Sequence, residues 1–100
     1  MKILFDPLAV LELKDTVEYY NFCDPGLGDR FRRSILQGIK KIAEYPEAWQ
    51  HQTERTRRFV LKTFPYKIIY SNNKDALYIL AIACSHRKPD YWVERNTGNG

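Results

Sequence analysis

At 100 residues and 11.9 kDa the chain has room for one domain with a small core. Hydrophobic residues make up 44% and charged residues 28%, with five glycines and five prolines; this excludes general disorder and collagen-like or linker-like chains, and no apolar run approaches the roughly 20 residues of a membrane-spanning helix. The net charge of +4 is uneven: residues 1–50 hold seven Lys/Arg against eight Asp/Glu, and residues 51–100 hold nine against four. A basic half on a small domain points to a polyanionic partner, with a plain solubility charge as the alternative.

The apolar stretch before Asp6-Pro7 is too short for a signal peptide, so a cytoplasmic protein is expected. Cys23 and Cys84 form no CxxC pair, and both are expected as small buried hydrophobes. The set Cys23, His51, Cys84 and His86 lacks zinc-ligand spacing, so neither a metal nor another cofactor is predicted.

The first predicted element is a short strand, residues 2–5. Asp6-Pro7 then opens a helix, because Asp accepts from orphan N–H groups and Pro suits the first helical position. Val10, Leu13, Val17 and Tyr20 share its apolar face, whereas Glu12, Asp15 and Glu18 read as solvated. Asp24-Pro25 repeats the start signal. Leu27, Phe31, Ile35, Ile39 and Ile42 form a second helical stripe that Tyr45-Pro46 ends, and the two helices should pair antiparallel. Residues 47–56 read as a loop. From Arg58 the period becomes two, with Phe59 and Leu61 facing one way and Arg58, Val60 and Lys62 the other. Tyr66 to Ser71 is a further strand, Ser71 to Asp75 a hairpin loop, and Leu77 to Cys84 an internal strand apolar on both faces. A polar and aromatic tail follows from Ser85, fraying over residues 96–100. The prediction is one α+β domain over residues 1–95. Its order is β-α-α-β-β-β, with a mainly antiparallel sheet, both helices on one face, and Arg58, Lys62 and Lys67 on the other.

P-loop, dinucleotide, zinc-protease and serine-hydrolase motifs are absent. A cluster of cations remains, with His86, Tyr66 and Tyr91 near it. That set suits metal-independent RNA cleavage: His86 for proton transfer, Arg58 with Lys62, Lys67 and Arg87 for phosphate charge, Tyr91 at a leaving oxygen, and Tyr91 and Trp92 for base stacking. Each has a plainer reading. His86 bonds a backbone group, Arg58 and Lys62 solvate a sheet face, Tyr66 and Tyr70 pack, Trp92 pins the tail, and Arg55, Arg57 and Arg58 dock a partner.

The run Phe64-Pro65-Tyr66-Lys67-Ile68-Ile69-Tyr70, then Leu77 to Ala83, then Ser85-His86-Arg87-Lys88-Pro89-Asp90-Tyr91-Trp92 with Arg95, resembles the RelE/ParE superfamily of toxins. Tyr19-Tyr20, Gly26-Leu27-Gly28-Asp29-Arg30-Phe31 and Ile42-Ala43-Glu44-Tyr45-Pro46 fit the same pattern, which spans roughly residues 2–95. The resemblance implies the toxin of a type II toxin–antitoxin pair, of the kind often labelled plasmid stabilisation protein, in a hetero-oligomer with a cognate antitoxin that wraps and masks it. RelE-like members cut messenger RNA in the ribosome; ParE-like members poison DNA gyrase. The dense lysine pairs of the RelE pattern are missing here, and Lys67 stands where an arginine is usual. His86 and Tyr91 nevertheless sit near the catalytic tail positions of ribonuclease members. The Phe-Pro-Tyr and His-Arg-x-Pro-x-Tyr-Trp-x-x-Arg signatures lie closer to ParE, so gyrase is the expected target, with ribosome-dependent cleavage as the alternative and a stand-alone RNA-binding module as a third reading. On either toxin reading Arg55, Arg57, Lys62, Lys67, Arg87, Trp92 and Arg95 are the expected target-binding residues.

Overall fold

The computed structural model describes residues 2–86 and 91–95; the tail expected to fray, residues 96–100, lies outside them. Six elements follow in order: β1 (Lys2–Phe5), α1 (Pro7–Cys23), α2 (Leu27–Glu44), β2 (Arg57–Val60), β3 (Tyr66–Asn73) and β4 (Ala76–Cys84). The sheet order is β1-β4-β3-β2; β1 runs parallel to β4 and the other two pairs are antiparallel. This is the predicted α+β order, and β4 is internal as its two apolar faces require.

Asp6 caps α1 by accepting from the Leu8 N–H at 2.8 Å, with Pro7 at the first helical position. The buried face of α1 is set by Ala9 and Val17, with Leu13 and Tyr20 beside them. Val10, expected in that face, is 48% exposed. Apolar residues surround α1, so their spacing alone left its rotation open by one position. Cys23, expected to be buried, is exposed at the end of α1, whereas Cys84 is half-buried.

The start of α2 also differs from expectation. Asp24 supplies no side-chain cap; Gly26 is the N-cap residue, with φ 92° in the region that suits glycine. Asn21 of α1 does the capping, its Oδ1 accepting from Gly26 N at 3.1 Å and Gly28 N at 2.8 Å. The helices approach closely there: a Cβ on Gly28 would stand 2.1 Å from the Val17 carbonyl oxygen.

The helix hairpin covers one sheet face. Phe31, Ile35, Ile39 and Ile42 of α2 pack with Ile68, Tyr70, Leu77, Ile79 and Ile82. Tyr20, Phe31, Phe64 and Tyr66 form an aromatic knot at one end, with ring centroids 5.0–6.2 Å apart. Tyr70 donates its hydroxyl to the Pro46 carbonyl at 2.6 Å. The predicted loop at residues 71–75 is tighter than expected: the ladder continues through Asn73↔Ala76, leaving a two-residue turn at Lys74-Asp75. On the opposite sheet face Ile69, Leu80, Ala81 and Ala83 lie beneath Trp92.

Candidate functional site: the sheet face opposite the helices

The strand register places the cations. Arg58 pairs with Ile69 and Val60 with Lys67, and Ile69 belongs to the face away from the helices. Arg58 and Lys67 therefore share that face. Arg58 donates to the Gln50 side-chain oxygen at 2.6 Å and to the His51 carbonyl at 2.9 Å. Gln52 Oε1 stands 3.5 Å from Arg58 and 3.3 Å from Lys67, so one neutral oxygen lies between two cations. No carboxylate pairs with either cation among the described residues, so the site keeps its charge. The segment carrying these acceptors is fixed beside β2 by Arg58 N–H donating to the Gln50 carbonyl at 2.9 Å and by a 2.7 Å contact between the Thr53 and Thr56 hydroxyls.

The neighbouring arginines point elsewhere. Arg57 donates to the Trp49 carbonyl at 2.6 Å. With Arg55, His51, Ser71 and two glutamates, it lines a polar depression of about 540 Å³. Lys62 is exposed just beyond β2, and His86 is exposed two residues past β4. Arg87 lies outside the described residues.

The largest departure from expectation is Glu12, read from its sequence position as solvated. Its carboxylate accepts from Ile82 N–H at 3.1 Å, the Tyr91 hydroxyl at 2.5 Å, and Arg95 at 2.8 and 3.2 Å. Arg95 also donates to the Leu80 carbonyl at 2.8 Å and stands 5.2 Å from the Tyr91 ring centroid. The physical cause is the length of β1. It ends at Phe5, opposite Ile79, leaving Leu80 and Ile82 of β4 without a strand on that edge. Glu12 supplies the acceptor and Arg95 the donor that the missing strand would have supplied. The two side chains are 14% and 12% exposed. Burial works against the Arg95 charge, but the hydrogen bond and charge of Glu12 outweigh it, and the arginine's pKa is raised.

This clasp fixes the tail. Trp92, expected to stack on bases or meet a target, is 3% exposed, with its ring in the second core. Tyr91 gives its hydroxyl to Glu12, and Arg95 is engaged with Glu12 and the sheet edge. Arg58 and Lys67 are thus brought together at the β2 side, and Tyr91 and Arg95 at the free edge of β4. Two strand spacings, about 10 Å, separate these margins. No local sequence signal marks Glu12; only the topology that sets a four-residue β1 beside a nine-residue β4 reveals its task.

The family model for the ParE toxin of type II toxin–antitoxin systems, parDE, matches residues 3–91. The chain belongs to the ParE toxin family. No curated protein matches it in sequence. Among solved structures, one titled as the chromosomal ParDE toxin–antitoxin system of P. aeruginosa is similar at a TM-score of 0.74 and 16% identity, covering 84% of this chain and 95% of that one. At that identity the likeness concerns the fold. For this ParE-family toxin the matched span takes in Glu12, the Arg58–Lys67 pair and Tyr91, and ends four residues before Arg95. Among the described residues, no helix is long and apolar enough to cross a membrane.

Proposed function

We propose that this toxin arrests growth by binding DNA gyrase and that a cognate antitoxin neutralises it in a cytoplasmic hetero-oligomer. Membership of the ParE family is the observation that carries the reading, and the separation of the charge-stabilising candidate Arg58 from the leaving-oxygen candidate Tyr91 supports it. Cleaving RNA without a metal requires a base, an acid and a charge-stabilising group around one phosphate. Here Arg58 leans toward residues 50–52, while the Tyr91 hydroxyl is bonded to Glu12 across the sheet. A binding poison needs only a fixed charged surface, which Arg58 and Lys67 supply.

One observation favours the RelE-like alternative: two cations without a carboxylate partner suit a nucleic-acid backbone. Induced expression without antitoxin separates the readings. The expected outcome is growth arrest with intact transcripts, together with inhibited supercoiling by gyrase mixed with the purified protein. Codon-positioned cuts in messages with normal supercoiling would establish the alternative. His86→Ala and Arg58→Ala should then each slow cleavage by about 10²-fold. RNA binding with steep salt dependence and no growth arrest would instead mark a stand-alone binding module.

A further inference from the structure

At the margin away from β2 the sheet ends in β1, whose outer side meets no other strand among the described residues. Lys2 N–H donates to the Asp75 carbonyl and Asp6 N–H to the Ile79 carbonyl, so residues 2, 4 and 6 turn their backbone groups toward β4. Ile3 and Phe5 therefore present their N–H and C=O groups to the free edge. The side chains there are apolar, and one copy of the chain does not cover them: Ile3 is 40% and Leu4 39% exposed. Ile3 and Phe5 lie beside Leu77 and Ile79 on the helix face, whereas Leu4 lies beside Tyr78 on the other. No proline interrupts β1, and its only charge is Lys2 at the start. An edge of this kind is a template for a further strand.

An antiparallel strand on this edge must set its own outward-facing residues opposite Ile3 and Phe5. A second copy of β1 does so with Ile3 opposite the partner's Phe5 and Phe5 opposite the partner's Ile3. Leu4 then meets the partner's Leu4 on a two-fold axis, and Lys2 comes opposite the partner's Asp6 on both sides of it. Lys2 has no ion-pair partner among the described residues, and Asp6 uses one carboxylate oxygen to cap Leu8. The two nearest registers that also match outward groups centre on Ile3 or on Phe5. The first sets Lys2 against the partner's Leu4 and the second sets Leu4 against the partner's Asp6, so each pairs a charge with an apolar side chain.

We propose that the toxin self-associates through β1, two copies joining their four-stranded sheets into one about a two-fold axis at Leu4. An unrelated strand would gain the same backbone bonds, but neither the contact of Leu4 with its own copy nor both charge pairs. A strand of four residues covers less than the roughly 800 Å² per partner of a standard interface, so the dimer is a weak one, forming in the range of about 10–100 µM. Its consequence is a doubled charged surface. The axis stands perpendicular to the sheet, so the Arg58–Lys67 pairs of the two copies share one face, six strand spacings or about 30 Å apart.

Sedimentation velocity of the purified protein from about 5 to about 200 µM should show monomer passing into dimer. Leu4→Lys sets two cations against each other on the axis and should leave the protein monomeric throughout. Lys2→Glu, which faces the partner's Asp6, should weaken association about ten-fold. Cross-linking tests the register. In a Cys23→Ser/Cys84→Ala background, Leu4→Cys should form a disulfide-linked dimer on mild oxidation, because the two Cα atoms of such an axial pair lie about 4.5 Å apart. Ile3→Cys in the same background should not, since its two copies lie about 8 Å apart, beyond disulfide reach. A monomer at every concentration, a dimer that Leu4→Lys leaves intact, or Ile3→Cys cross-linking as readily as Leu4→Cys would overturn the proposal. Far-ultraviolet circular dichroism reports whether Leu4→Lys keeps its fold; if it does not, the two cysteine variants decide alone.

Discussion

Tyr70 must bury a ring and satisfy a hydroxyl at once. The ring lies in the main core and the hydroxyl reaches the Pro46 carbonyl. Burial raises its pKa to about 12, against a smaller opposing effect of Arg57. An unfolded tyrosine ionises near 10, so the unfolded chain loses this proton first. The stability Tyr70 contributes is complete below pH 10 and declines as pH rises from 10 to 12. Urea titrations should show that decline blunted in Tyr70→Phe, which at neutral pH should cost about 1 kcal/mol for the lost hydrogen bond. The clasp makes a sharper case. Arg95→Ala leaves a largely buried carboxylate without its cation and should cost about 3 kcal/mol; Glu12→Ala should cost a similar amount, and the double variant less than the sum. Trp92 emission should move to the red in all three as the tail loosens. Helical spacing identified the stripe of α2 from sequence, but it is silent about Glu12, whose partners belong to β4 and the tail.

The helix pair and the three later strands were legible because α2, β2 and β3 repeat their apolar residues with a clear period and β4 is one continuous apolar run. What stayed hidden lies where one element completes another. Asn21 caps a helix it does not belong to, so the Asp24-Pro25 signal misleads. Two asparagines favour a five-residue hairpin loop at 71–75, yet the β4 ladder draws both into strand. Gly28 carries the strictest demand at this scale. Gly28→Ala would gain helix propensity, but its methyl would collide with the Val17 backbone rather than with a movable side chain. The expected net loss is about 3 kcal/mol, read as a fall in thermal midpoint, whereas the exposed Gln37→Ala on the same helix should change stability by under about 0.5 kcal/mol.

Across the whole molecule, the excess of positive charge in the second half was visible in composition, while its division between surfaces was not. Arg58 and Lys67 face one way, Arg57 turns to Trp49, and Arg95 is engaged inside the clasp. Arg58→Ala with Lys67→Ala should therefore abolish growth arrest while leaving the far-ultraviolet circular dichroism unchanged. The parallel pairing of β1 also bears on how the toxin comes into being during translation. Lys2 to Phe5 leave the ribosome well before their partners, Ala76 to Ile79, and Glu12 waits longer still for Arg95. At about 5–20 residues per second, making the intervening residues takes seconds, and pairings this distant in sequence form slowly even then. Each new copy therefore passes through an interval in which its first strand has been made but its sheet is not yet closed.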